Sequence, residues 1–204
     1  MKKYAMVFDA GTGAGRCNLF DMSGRLVSYA YREWEYLKDL SSSNKEAMLF
    51  DAEQFKKILF SLCRKVITQA GISADEIVAV SATSQREGMV WLDRFGKEIY
   101  AAPSVDLRGE EAADILSGKE PFIKEITGLP VSGMFGLARL LWYKKFNEAV
   151  YDRIDTVMMI SDWICYLLCG SKVSEPSVAS SSQLFDVKNG KWSSELLKSV
   201  GLRT

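Results

Sequence analysis

Histidine is absent from the 204 residues. The commonest general base and the commonest metal ligand are therefore missing. Any chemistry must run through carboxylates, lysine, arginine, hydroxyls or backbone amides. Net charge is lacking too, with 26 Lys and Arg against 26 Asp and Glu. A balanced chain offers no basic footprint for nucleic acid or for an anionic membrane surface, so neither partner is expected. No apolar run nears the roughly 18 residues that a bilayer span needs. The opening MKKYAMVFDAGTG carries only a short apolar stretch, broken by Asp9. That is too brief for a secretory leader and reads as a strand. Cysteines are few: Cys17, Cys63, Cys165 and Cys169 match no zinc or redox spacing. Cys165 and Cys169 lie four apart on a predicted helix, so they share a face and are expected as small core residues rather than half of a metal site. A reducing cytoplasm fits these free thiols.

What is present is ordinary for a globular domain: 48% hydrophobic and 25% charged residues. A chain of this size buries roughly 70% of its unfolded surface. Tyr4 to Asp9, Arg16 to Asp21 and Leu26 to Trp34 read as three strands of an antiparallel meander, the first turn glycine-rich and the second at Ser23-Gly24. From about Ala52 to Ala70, Phe55, Ile58, Leu59, Leu62, Cys63, Val66 and Ile67 recur at three- and four-residue spacing. This predicts an amphipathic helix with Gly71 as its C-cap. Ile77 to Ala82 is short, apolar and β-branched, as in a buried parallel strand. Met89 to Asp93 and Glu98 to Tyr100 read as a hairpin. Helical patterns follow at roughly 107–117, 120–126 and 136–148. Then come a strand at Thr156 to Met159, a helix from Ser161 as N-cap to Cys169, a Ser-rich loop from Ser171 to Ser182, and a last helix near Glu195 to Val200. The order predicts an α/β domain with a mixed sheet covered by helices.

Two loops carry candidate chemistry. Asp9-Ala10-Gly11-Thr12-Gly13-Ala14-Gly15-Arg16 joins the first two strands. Its glycines let backbone amides approach phosphate oxygens, and Thr12 adds a hydroxyl. Asp9 at a strand end suits Mg²⁺, directly or through water, and Arg16 suits phosphoryl charge. The spacing is neither that of a P-loop nor that of a dinucleotide fingerprint. An unliganded glycine-rich hairpin turn is the plainer alternative. The second loop, Ser84-Gln85-Arg86-Glu87-Gly88, follows the IVAVSA strand, and ligands of α/β sheets bind beyond carboxyl ends of strands. Arg86 and Glu87 set donors beside acceptors, which suits vicinal hydroxyls. A polar loop with a surface ion pair is the plainer alternative here.

The D-x-G-T…R pattern resembles the first phosphate motif of the superfamily of sugar kinases, actin and heat-shock chaperones, whose halves are ribonuclease-H-like domains with ATP in the cleft between them. Within it, SQREG is similar to a substrate segment of the FGGY carbohydrate kinase family. Ser104-Val105-Asp106-Leu107-Arg108, Thr127-Gly128-Leu129 with Met134, and the run from Met159-Ile160-Ser161-Asp162-Trp163 through Ser180–Asp186 to Trp192 resemble further family segments in the same order. The combination looks closest to the autoinducer-2 kinase branch. Two departures from glycerol kinases stand out: no aromatic residue precedes Asp106, and Met134 falls where they have Tyr. Trp163 and Trp192 are expected as core or interface aromatics, and Asp162 as a helix cap or a ligand contact.

The resemblance implies an ATP- and Mg²⁺-dependent phosphotransferase acting on a hydroxyl of a small sugar, polyol or autoinducer-2-like molecule. Asp9, Gly11, Thr12, Gly13 and Arg16 would hold the nucleotide phosphates, with Asp9 as the metal residue. Gln85, Arg86, Glu87 and Asp106 would bind substrate. It also implies a chain more than twice this long, whose C-terminal half supplies the general base. Residues 1–204 are thus expected as a single N-terminal kinase domain that lacks its C-terminal partner domain, has no catalytic base of its own, is inactive alone, and is prone to homo-oligomerise through its uncovered apolar face. A non-catalytic sugar-binding or regulatory module of the same fold is the main alternative. An actin-like or chaperone-like ATPase is a third, which SQREG and SVDLR argue against.

Overall fold

The computed structural model describes residues 3–204; Met1 and Lys2, at the head of the opening segment, lie outside the described residues. The meander forms as its alternation predicts. β1 (Tyr4–Ala10), β2 (Ala14–Asp21) and β3 (Leu26–Glu33) pair antiparallel. Tyr4, Met6, Phe8 and Ala10 of β1 face the core together with Cys17 and Leu19 of β2. Two short strands follow, β4 (Leu37–Lys38) and β5 (Met48–Leu49). Helix α1 (Ala52–Ala70) then covers the sheet with Phe55, Ile58, Leu59, Leu62 and Val66. Its first turn is closed by the Asp51 carboxylate, which accepts from the amides of Glu53 and Gln54 (2.9 and 3.0 Å). Its end is closed by Gly71 at φ 63°, a conformation that suits glycine. Asp51→Ala should therefore cost about 1 kcal/mol of unfolding free energy in a urea titration; an unchanged midpoint would remove the cap from the account of α1.

β6 (Ile77–Ser84) joins β1 in parallel, giving the mixed order β3-β2-β1-β6. The expectation of a buried strand is corrected here. Among the described residues β6 is an edge: Val80, opposite core-facing Met6, is 45% exposed, and Val78, at the irregularity in the register, is 49% exposed. They are apolar because of the face they continue, yet they lie beyond the cover of α1.

β7 (Met89–Leu92), β8 (Glu98–Ala102) and β9 (Thr156–Met159) form a second sheet of order β8-β7-β9. β7 serves two cores by simple alternation. Val90 and Leu92 join the core under α1, whereas Met89 and Trp91 face a second core. That second core is closed by a helical stretch at Arg108–Leu116, by α2 (Glu120–Thr127) and by α3 (Gly136–Phe146). The stretch at 108–116 is a 3₁₀ helix rather than an α-helix. Its three-residue turn stacks Gly109 and Ala112 against α3, where a Cβ on Gly109 would lie 2.4 Å from the Gly133 carbonyl oxygen.

The predicted helix 136–148 breaks at Asn147. Its side chain accepts from Val150 N and opens α4 (Glu148–Tyr151). α5 (Ile160–Cys169) begins one residue before the expected start, so Ser161 is not its cap; the Ser161 amide donates instead to Ser84 Oγ on β6 (3.1 Å). Trp163 on α5 is fully buried, packed on Phe55 at 5.6 Å between ring centroids. Trp192, 39% exposed against Phe185, is not a core aromatic, which leaves the interface half of the expectation for it. The two-cysteine core reading also fails: Cys165 is only half-buried and Cys169 is exposed. The Ser-rich segment winds into α6 (Pro176–Ala179) and a 3₁₀ turn. Beyond the short pair β10 (Phe185–Asp186) and β11 (Lys191–Trp192), Ser193 caps α7 (Ser194–Ser199) through Leu196 N (3.2 Å).

Candidate functional site

The phosphate-type loop hangs between β1 and β2. Asp9 and Arg16 are cross-strand partners, and their side chains form an ion pair at 3.8 Å, both well exposed. The register therefore presents the carboxylate and the guanidinium together at one strand end. Gly11 N donates to Ala14 O (2.9 Å). The Gly11 amide, expected to reach phosphate, is thus spent on closing the turn. The amides of Thr12 and Gly13 donate to no protein group among the described residues. Trp34 buttresses the loop from outside, its indole N–H donating to Thr12 O (3.2 Å) and its amide to Gly13 O (3.1 Å). Its ring fills the space above Gly15, where a Cβ would lie 2.4 Å from it.

The loop lines a cleft of about 480 Å³ with Asp9, Gly11, Thr12, Gly13, Ala14, Arg16, Tyr31 and Glu33. Tyr31 and Glu33 were not legible as site residues. They enter because β3 pairs with β2, placing Tyr31 opposite Arg16 with the guanidinium 5.5 Å from the ring centroid. The Tyr31 hydroxyl donates to Glu33 Oε1 (2.9 Å). A magnesium ion fits this donor set through a single carboxylate, with Asp9 beside the glycine-rich turn. The described residues contain no cluster of three or more ligating side chains, but Mg²⁺ takes one carboxylate plus waters and phosphate oxygens, which Asp9 alone satisfies.

The second loop is bound to the first. Gln85 N donates to Ala10 O (2.8 Å), and Gln85 Nε2 donates to Tyr36 OH (2.8 Å) and Gly11 O (3.3 Å). Gln85 Oε1 accepts from both the amide and the hydroxyl of Ser104 (2.9 Å each). The Gln85 amide group is therefore occupied by protein partners. It ties three segments together rather than standing free for substrate. Arg86 projects from the loop with its side chain 78% exposed, loosely paired with Glu87 at 4.0 Å. Glu87 is the reverse: its side chain is 15% exposed and its backbone sits at φ 60°. A left-handed glutamate is strained and marks a position that its surroundings over-determine. Burial raises the Glu87 carboxyl above its ordinary range, against the opposing charges of Arg86 and Arg139.

Asp106 departs furthest from expectation. It is fully buried. Its oxygens accept from Met48 N (3.1 Å), Tyr100 OH (2.6 Å) and Arg108 Nε (2.7 Å). Arg108, also fully buried, reaches Asp39 (2.9 Å) and Tyr143 OH (2.8 Å) as well. Burial works against the Asp39 charge, but hydrogen bonds from Ser41 and Arg108 outweigh it and hold its carboxyl below the ordinary range. With its accepting positions taken, Asp106 is a scaffold group beneath the loop and not a free acceptor for a substrate hydroxyl.

Arg139 was missed altogether. It lies in the first turns of α3, is fully buried, and donates to Glu87 O (3.0 Å), Ser104 O (3.1 Å) and Tyr100 OH (3.4 Å). Asp162 accepts from Ser174 Oγ (2.5 Å) and Glu175 N (3.3 Å), so it pins the following loop to α5 instead of capping the helix. Thr127 and Gly128 end α2, Thr127 Oγ1 donating to Ile123 O and Gly128 at φ 73°.

A three-stranded meander, a covering helix, a fourth parallel strand and a glycine-rich turn define a ribonuclease-H-like α/β domain of the sugar-kinase kind, with a second small sheet beside it. Residues 4–204 match the FGGY family of carbohydrate kinases, N-terminal domain, and the chain belongs to that family. It is 34% identical over 207 residues to an autoinducer-2 kinase of Salmonella paratyphi B, covering 98% of this chain and 38% of the relative. Gluconate kinase from Lactobacillus acidophilus superposes with a TM-score of 0.84 at 21% identity, over 100% of this chain and 40% of that one. Plasmodium falciparum glycerol kinase with ADP gives 0.82 at 20% identity, over 98% and 42%. The chain thus spans under two fifths of the length of the curated relative. Among the described residues no helix is long and apolar enough to cross a membrane.

Proposed function

We propose that this chain is the phosphate- and sugar-binding part of an ATP-dependent kinase that phosphorylates a hydroxyl of a small sugar, polyol or autoinducer-2-like molecule. One observation carries the reading: Gln85 bonds the Gly11 carbonyl with one end of its amide and Ser104 with the other. The anion-friendly loop and the hydroxyl-friendly loop are thereby held as neighbours at the ends of adjacent strands. That is the juxtaposition in-line phosphoryl transfer requires.

The roles follow from the surroundings. Asp9 would hold Mg²⁺ with waters and phosphate oxygens. The amides of Thr12 and Gly13 would donate to phosphate, and Arg16 would neutralise charge there. The metal, when bound, would supply positive charge to offset that of the transferring phosphoryl group. Arg86 and Glu87 would bind hydroxyls of the sugar, with Gln85 and Asp106 supporting them from behind. The proton acceptor for the attacking hydroxyl is assigned to a C-terminal domain beyond these residues, so the chain alone should bind sugar weakly and turn nothing over. Self-association would run through the uncovered apolar face of the domain.

Calorimetry with a polyol panel, with and without MgATP, tests this. Sugar binding that responds to MgATP supports the kinase reading. Sugar binding indifferent to MgATP supports the non-catalytic module, and turnover by this chain alone contradicts the external base. Arg86 makes no hydrogen bond within the described structure and is largely exposed. Arg86→Ala should accordingly leave the melting temperature unchanged while weakening sugar binding about 10- to 100-fold. Unchanged affinity would reject the pocket.

A further inference from the structure

We propose that Arg139 is a positioning residue for the sugar-binding loop, its buried guanidinium clamping the carbonyls of Glu87 and Ser104 so that the Glu87 carboxylate is held ready for ligand. The proposal rests on the reading of Glu87 as a ligand group.

The guanidinium is committed to two backbone carbonyls and one phenol rather than to a carboxylate. Its Nε finds no hydrogen-bond partner among the described residues. Burying a cation under those terms is costly, and an apolar side chain of similar length would fill the same space without that cost. Packing therefore does not explain an arginine at this position. Geometry does, because the planar fork sends separate N–H groups to two targets at once, which an ammonium on a flexible stem cannot reproduce.

Both targets flank Gln85: one lies on its own loop and the other is its hydrogen-bond partner. At one end is the carbonyl of Glu87, the residue in the left-handed conformation. A strained backbone persists only where its surroundings over-determine it. The other holds on this bend are the long bond from Glu87 N to Ser181 Oγ (3.4 Å) and that from Ile160 N to Gly88 O (3.2 Å). The bond from Arg139 Nη1 is the shortest and the only charged one of the three. At the other end is the carbonyl of Ser104, whose own amide and hydroxyl donate to Gln85. Arg139 thus closes a ring of contacts: from α3 to Glu87, along the loop to Gln85, across to Ser104, and back to α3. Tyr100, its third partner, donates in turn to Asp106. The two segments leave the open end of the β7–β8 pair, where Met89 lies opposite Ala102, and the helix ties them together just beyond that last rung.

The test uses Arg139→Lys and Arg139→Gln in the 204-residue protein. Three quantities are measured: the thermal midpoint, peptide-resolved amide hydrogen exchange, and calorimetric binding of D-xylulose and glycerol. Either variant can reach one carbonyl but not both. The expected result is at least about tenfold faster exchange at Glu87–Gly88 and Ser104–Asp106, with unchanged exchange in β1 and β2. Sugar affinity should fall at least about tenfold. Exchange that is unchanged, or raised equally across the domain, overturns the clamp. So does locally faster exchange with parental affinity, since the loop's position would then not matter to the ligand. Failure of both variants to fold also overturns it, in favour of a purely structural role. A parent protein that binds neither sugar overturns the sugar-binding reading instead, and exchange alone then decides the clamp.

Discussion

Asp106→Ala is expected to lower the unfolding free energy by about 3–5 kcal/mol, with no ligand present. The carboxylate is fully buried and carries the hydrogen bonds of Tyr100, Met48 N and Arg108. Removing it leaves the equally buried Arg108 with Asp39 as its remaining carboxylate partner. A fully buried charge left with one counter-ion in place of two, rather than a lost contact, dominates the cost. Two further polar groups, the Tyr100 hydroxyl and the Met48 amide, lose their acceptor as well. Domains of this size are stable by only about 5–15 kcal/mol, so the variant should sit close to unfolding. Asp106→Asn keeps the shape and one acceptor and should cost less. Urea unfolding of the two variants beside Tyr100→Phe, which removes one donor for about 1 kcal/mol, would order them. A stable, soluble Asp106→Ala that has lost only sugar affinity would show that Asp106 meets ligand directly after all.

That residue also marks where sequence reasoning stops. The meander was legible because its side chains alternate with period two, and α1 because its apolar residues recur at helical spacing between a capping Asp51 and a terminating Gly71. The two loops were legible because glycine clusters and Arg-Glu pairs beyond strand ends are local signals. Burial of a charge is not local. Asp106 reads as a substrate-binding acceptor, and Arg108 as part of the same segment, until Tyr100, Tyr143, Trp142 and Asp39 close around them. Arg139 sits in GLARLLWYKKF, where one arginine among apolar residues resembles a solvent-facing position. The helix is in fact buried from Gly136 to Tyr143, so it has no polar face for the arginine to occupy. Tyr31 and Glu33 needed the β2–β3 register, which puts them beside Arg16 although they lie 15 and more residues away in sequence. β6 failed in the opposite sense. An apolar, β-branched run records which surfaces a strand is suited to, not how many neighbours these residues provide.

Glu87→Gln is expected to raise stability and to weaken sugar binding about 100-fold, the two effects running in opposite directions for one reason. Burial, opposed by Arg86 and Arg139, raises the Glu87 carboxyl above its ordinary 4.5. The folded protein then holds this proton more tightly than the unfolded chain does. The contribution of this carboxyl to stability is accordingly fully present below its ordinary value and is lost as pH rises from there through the raised one. At neutral pH the ionised carboxylate is a net burden on the fold. A neutral amide removes the burden, so the melting temperature of Glu87→Gln should exceed that of the parent at pH 7 and converge with it in acid. Glu87→Gly should gain about 1 kcal/mol by another route, since glycine adopts φ 60° without the Cβ conflict. Both variants lose a charged acceptor able to take two hydroxyl hydrogen bonds, each worth about 1.5–3 kcal/mol. Thermal scans between pH 4 and 8, run beside calorimetry with D-xylulose and glycerol, read both halves. If both variants melt lower than the parent at pH 7, Glu87 is structural and the strain at its backbone serves the fold. If they melt higher and bind sugar as tightly as the parent, the crevice takes its ligand elsewhere. A gain in melting temperature joined to a loss of affinity would tie the buried charge and the left-handed backbone of Glu87 to ligand binding rather than to the fold.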